Sequence, residues 1–112
     1  MNNKEEREMI IVKLKSFTVD NGDIPIQVKY IELLKSAVNI PKEGGFSPTE
    51  MQERLKILDA LDISINGEIK LEDKDIKLLA SLVKEQRFNI VHQGFIDYAN
   101  YIQKLADDLP QA

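Results

Sequence analysis

The tetrapeptide Ser47-Pro48-Thr49-Glu50 constrains this chain more than any other feature. A serine followed three residues later by glutamate is a capping box, and proline at the first helical position reinforces it. The serine oxygen can accept a backbone N–H at the helix start, and Glu50 can reach back to the serine amide. A helix is therefore predicted from Pro48 to about Leu61. Met51, Leu55 and Leu58 run along its buried face, and Ile57 and Leu61 widen it. Before it, Asn39 to Phe46 reads as a loop, punctuated by Pro41, Gly44 and Gly45.

The same punctuation divides the rest of the chain. Residues 1–8 are charged and are expected to fray. Residues 9–19, MIIVKLKSFTV, are rich in β-branched and aromatic side chains and read as one strand. Met9, Ile11, Lys13, Lys15, Phe17 and Val19 fall on one face; Ile10, Val12, Leu14, Ser16 and Thr18 fall on the other. Asn21-Gly22 supplies a tight turn, and Ile24-Pro25-Ile26 resumes an extended segment that proline confines to an edge. Residues 9–26 thus read as a β-hairpin.

Residues 27–38 read as a helix, with Tyr30, Leu33, Leu34 and Ala37 at helical spacing. The alternation around Asn66-Gly67, over 63–71, predicts a small second hairpin, with an irregular turn leading to one short strand as the alternative. Glu72 or Asp73 starts a helix reaching about Arg87, with Ile76, Leu79, Ala80 and Val83 inward and acids in its first turn. A last helix spans about Asn89 to Leu109, with Val91, Phe95, Ala99, Ile102, Ala106 and Leu109 on one face. Gly94 weakens its first turns slightly. Residues 110–112 form a tail. The expected fold is α+β and mainly helical: about four helices, an N-terminal β-hairpin and a small second hairpin. One globular domain covers residues 9–109, as a chain of 112 residues suggests.

Chemistry is sparse. The chain has no cysteine and one histidine, His92. Disulfides, thiolate zinc sites and cysteine nucleophiles are excluded. His92 has no partner motif, and it is expected to be a partly exposed helix residue. Glu72-Asp73-Lys74-Asp75 lacks the spaced oxygens and central glycine of a calcium loop and reads as a helix start. Gly44-Gly45 is too short for a phosphate loop. No catalytic, metal or cofactor site is expected, and the chain is read as non-enzymatic. The longest apolar run, Met9 to Val12, is far below the roughly 20 residues that span a bilayer. No membrane partner is expected, and a cytoplasmic location is.

Helix, loop, capped helix and wing-like hairpin follow one another as in winged-helix DNA readers. However, the helix at 48–61 offers Glu50, Gln52, Glu53, Lys56 and Asp59 outward, with Arg54 nearby. The net charge is -4. Phosphate binding needs a basic face, so nucleic acid is not the expected partner. A helix-turn-helix regulator is the alternative, and a basic stripe of Lys29, Lys35, Lys42, Arg54 and Lys56 would favour it. The first reading is a protein-binding or assembly module, meeting a protein partner or a second copy of itself. Its expected surface is the N-terminal strand at Ile10, Val12 and Leu14, whose edge invites strand pairing, with the loop at Lys42, Gly44, Gly45 and Phe46.

The order of elements also resembles small uncharacterised proteins of tailed bacteriophages and prophages. The matching residues are Ser47, Glu50, Arg54, Leu55 and Leu58, then Leu71, Glu72, Asp73, Leu78 and Leu79, within a likeness covering about residues 9–105. The resemblance implies a phage or prophage origin and a small non-enzymatic role in assembly or in binding a host protein. It implies no catalytic residues.

Overall fold

The protein is described from a computed structural model, covering residues 9–20, 22 and 24–109. The expected fraying of 1–8, the tail at 110–112, and Asn21 and Asp23 of the expected turn lie outside the described residues.

The architecture is α+β and mainly helical. Its elements in chain order are β1 (Ile10–Lys13), β2 (Ser16–Asp20), β3 (Pro25–Lys29), α1 (Tyr30–Val38), α2 (Pro48–Asp62), β4 (Glu68–Leu71), α3 (Asp73–Lys84) and α4 (Gln93–Asp107). The strands form two separate antiparallel pairs, β1 with β4 and β2 with β3.

The expected single strand at 9–19 is therefore two strands. The break at Leu14–Lys15 changes the side-chain phase. In β1, Val12 faces the core, with Ile10 and Leu14 packed beside it; in β2, Val19 is buried and Phe17 packs against the core. Even-numbered residues face inward before the break and odd-numbered residues after it. One unbroken strand could bury only one of these sets, because its faces alternate strictly. The bend lets both be buried.

The N-terminal hairpin consists of β2 and β3 and extends to Lys29, with Phe17 opposite Val28 and Val19 opposite Ile26. Gln27, Val28 and Lys29, expected in a helix, belong to the strand, and α1 starts at Tyr30. β1 instead pairs with β4, matching Val12 to Ile69 and Ile11 to Lys70. The second hairpin is reduced to a single bridge between Ile65 and Glu68 at a turn that leads into one short strand, β4. Asn66 and Gly67 both have positive φ (56° and 72°), as a type I′ turn needs. The turn also serves the sheet, since Gly67 C=O accepts from Leu14 N–H at 2.7 Å.

The helices close over the inner face of the β1–β4 pair. One apolar cluster joins Val12, Ile69 and Leu71 to Leu34 of α1, Ile57 and Leu61 of α2, Ile76 and Leu79 of α3, and Tyr98 and Ile102 of α4. The α3 stripe follows the expected positions. Three expectations need correction. On α2, Met51 and Leu55 are exposed, and Ile57 and Leu61 carry the burial. α3 ends at Lys84 rather than near Arg87. α4 starts at Gln93 rather than Asn89, so Val91 precedes the helix and is fully exposed.

Candidate functional site

The capping box closes as predicted. Glu50 N–H donates to Ser47 Oγ at 3.1 Å, and Ser47 N–H donates to Glu50 Oε1 at 2.8 Å. The other oxygen of Glu50 pairs with Lys42 across the loop. The Lys42 ammonium, with the Ser47 amide, holds the Glu50 carboxyl down at about 2. Gly45 N–H donates to Lys42 C=O at 2.8 Å, and Gly44 and Gly45 both adopt positive φ. The Arg54 guanidinium lies 4.5 Å from the Phe46 ring centre and donates to Val38 C=O at 2.8 Å. The loop of Lys42, Gly44, Gly45 and Phe46 is thus tied to the start of α2 and to the end of α1.

The strand half of the expected surface lies differently. Val12 has no exposed surface, and Ile10 and Leu14 pack against the core. The Val12 side chain is therefore closed to a partner, whereas Ile10 and Leu14 turn toward the core but keep part of their surface open. The outer edge of β1 is also partly closed, because Lys13 N–H donates to Tyr101 Oη at 2.8 Å. What β1 presents outward is its opposite face, where Ile11 is 46% exposed.

A groove with exposed apolar side chains lies beside that face. Ile11 stands directly opposite Lys70 of β4. Lys70 lines a groove of about 420 Å³ together with Ile63, Ile65, Glu68 and Ala60. Ile63 is 74% exposed and Ile65 71%. The bend after α2 and the Asn66-Gly67 turn set these two side chains outward. Their alternation was legible, but not the side of the sheet they occupy, because β4 takes its partner from the far N-terminal strand.

Four of the five residues of the basic stripe that would favour DNA are engaged within the fold, and Lys29 stays exposed. Lys35 pairs with Asp62 at 3.0 Å, Lys42 with Glu50, and Lys56 with both Glu72 and Asp75 at 3.2 Å. Arg54 is held by Phe46 and Val38. Burial acts to lower the Lys56 pKa, but Glu72 and Asp75 outweigh it, and the net direction is upward. The Glu72-to-Asp75 run is a helix start clamped by a lysine from α2. Asp75 is buried, and the Lys56 ammonium supplies its countercharge.

His92 is partly exposed, as expected, but it precedes the helix instead of lying within it. It is the N-cap of α4, where Nδ1 accepts from Gly94 N–H at 2.9 Å. Its ring stacks on Phe17, with centroids 5.5 Å apart and planes 15° apart. Among the described residues, no group of three or more His, Cys, Asp or Glu is placed to hold a metal ion. No helix among them is long and apolar enough to cross a membrane. Comparison with protein-family models, with curated proteins and with solved structures finds no match for this chain.

Proposed function

We propose that the chain is a small non-enzymatic protein-binding module acting by stoichiometric contact, in a phage or prophage setting as the sequence resemblance implies. The partner docks on the outer face of the β1–β4 sheet. One observation carries this reading: Ile63 and Ile65 stand exposed at one groove that Lys70 also lines, and exposed Ile11 lies opposite Lys70 on the neighbouring strand. Large β-branched side chains clustered on a surface cost solubility, and clusters rimmed by charge mark protein contact sites. Glu68 and Lys70 supply a rim of both signs, which suits a polar border around an apolar centre. The internal pairing of Lys35, Lys42 and Lys56 commits three cations of the expected stripe to acids of this chain, and with a net charge of -4 this supports a protein partner over nucleic acid.

The test is capture of proteins from host lysate, with and without phage infection, on wild-type chain and on an Ile63→Lys, Ile65→Lys double variant. A partner retained at near 1:1 ratio by wild type and lost by the variant is expected. Equal retention by both would sink the assignment of this face.

A further inference from the structure

β2 is a strand edge that the described residues leave open, and its sequence is complementary to itself. Tyr30 N–H donates to Lys15 C=O at 2.8 Å, and this bond sets the phase of the β2–β3 ladder. Bonded and non-bonded pairs alternate along an antiparallel pair. Phe17 and Val19 therefore bond to Val28 and Ile26, while Ser16, Thr18 and Asp20 direct their N–H and C=O away from β3. Among the described residues those outward backbone groups of Thr18 have no partner. All three residues are exposed.

The two outer edges of this hairpin differ. On β3, Pro25 stands opposite Asp20 and so takes an outward position, where it has no N–H to offer, and Lys29 takes another. Proline and lysine are the residues that protect an edge from a neighbouring strand. Between Ser16 and Asp20 there is neither. An added strand can pair along β2 without interruption.

The geometry points to a second copy of this chain as that strand, joined antiparallel through β2 about a two-fold axis at Thr18. In this register Thr18 faces Thr18, and each Ser16 faces Asp20 of the other copy. The serine hydroxyl can donate to the carboxylate, and no like charges oppose each other. On the apolar face Phe17 meets Val19. This is the only register that pairs every residue of β2. It converts two hairpins, each marginal as a two-stranded unit, into a four-stranded sheet. It also gives half-exposed Ile26 a place in a continuous apolar row with Val19, Phe17 and Val28. The interface is isologous and closed, so it yields a dimer and not a fibre. This pairing uses a different surface from the docking face around Ile63 and does not rest on that reading.

The chain has no cysteine, so one introduced residue reports on the register. A bonded antiparallel pair sets its Cα atoms about 5.5 Å apart, within disulfide reach. Thr18→Cys is expected to form a disulfide dimer on mild oxidation. Ser16→Cys or Asp20→Cys alone is not, but an equal mixture of those two is. Solution mass is measured by light scattering from about 10 µM to about 1 mM, the range of small interfaces. Wild type is expected to rise toward twice 12.8 kDa, while Thr18→Lys stays at 12.8 kDa with unchanged helix signal. Ile63→Lys is expected to dimerise like wild type. A wild-type monomer at every concentration overturns the inference. So does a dimer that Thr18→Lys leaves intact, or one in which Thr18→Cys fails to cross-link.

Discussion

The Phe17 ring lies directly over Gly94, where a Cβ would sit 2.6 Å from Phe17 Cγ. Side-chain carbons do not approach so closely, so the first turn of α4 admits only glycine while the hairpin is docked. Phe17 also meets Phe95 edge-on at 5.1 Å and stacks on His92. Gly94→Ala should therefore destabilise the protein by about 2 kcal/mol through overpacking, although alanine is the better helix former by about 1 kcal/mol. Phe17→Leu in the same chain should recover part of the loss. A double-mutant cycle from urea unfolding checks this, and strict additivity would show that the two sites do not touch.

His92 fastens the same junction by a cap and a stack. His92→Ala removes both, and a loss of about 2 kcal/mol is expected from a cap and an aromatic pair together. His92→Asn restores a capping oxygen without the ring, so its loss should be about half as large. Urea midpoints of the three proteins should fall in the order His, Asn, Ala. An Asn variant no better than Ala would mean that Nδ1 is not acting as a cap.

The junction also shows what the sequence disclosed. The capping box, the α3 stripe and the Asn66-Gly67 turn were legible because each is local: donor, acceptor and apolar repeat lie within a few residues. The split at Leu14–Lys15 was visible only as imperfect alternation. Two good alternations, out of phase by one residue, look like one poor one. The β1–β4 pairing joins residues some sixty positions apart, and no local pattern marks it. For that reason Ile10, Val12 and Leu14 were assigned to a surface and Ile63 and Ile65 were not. Tyr98, buried at the centre, escaped the expected α4 face because its hydroxyl is satisfied by Gln86, a residue of the loop beyond α3.

Acid should loosen the start of α2. The Glu50 carboxyl is held at about 2, against an ordinary value of 4.5. A group with a depressed folded pKa contributes stability above its unfolded value and loses it as pH falls through the folded one. The contribution is thus complete above 4.5 and gone near 2. Glu50→Gln keeps an acceptor for Ser47 but gives up the charge facing Lys42. Urea midpoints of wild type and variant should differ most at neutral pH and converge as pH drops through that window. A gap independent of pH would assign the effect to the cap geometry alone.

Base should act through the tyrosines. Burial, opposed by the hydrogen bond to Gln86 and helped by Tyr30, raises the Tyr98 pKa, and burial together with Asp97 raises that of Tyr30. Their ordinary value is 10.0. Stability linked to a raised pKa is fully present below the unfolded value and is lost as pH rises toward the folded one. Phenolate absorbance should therefore show Tyr98 and Tyr30 titrating late in the native protein, and unfolding in urea at pH near 11 should release the missing signal. Full ionisation of the native protein near pH 10 would contradict the burial.

Two lysine substitutions separate the two faces of the β1–β4 sheet. Val12 is fully buried, and Val12→Lys forces a charge into the apolar cluster that holds Ile69, Leu71 and Leu34. A loss of at least about 3 kcal/mol is expected, seen as a fall in helix signal and urea midpoint. Ile63 is mostly solvent-facing, so Ile63→Lys should move stability by no more than about 0.5 kcal/mol. Partner capture should nevertheless fail for Ile63→Lys, whose fold is intact. Any loss of binding in Val12→Lys should instead track its unfolded fraction. If Val12→Lys keeps wild-type stability, the inward assignment of β1 is wrong, and the strand would again be open to a partner on the face that Ile10, Val12 and Leu14 share.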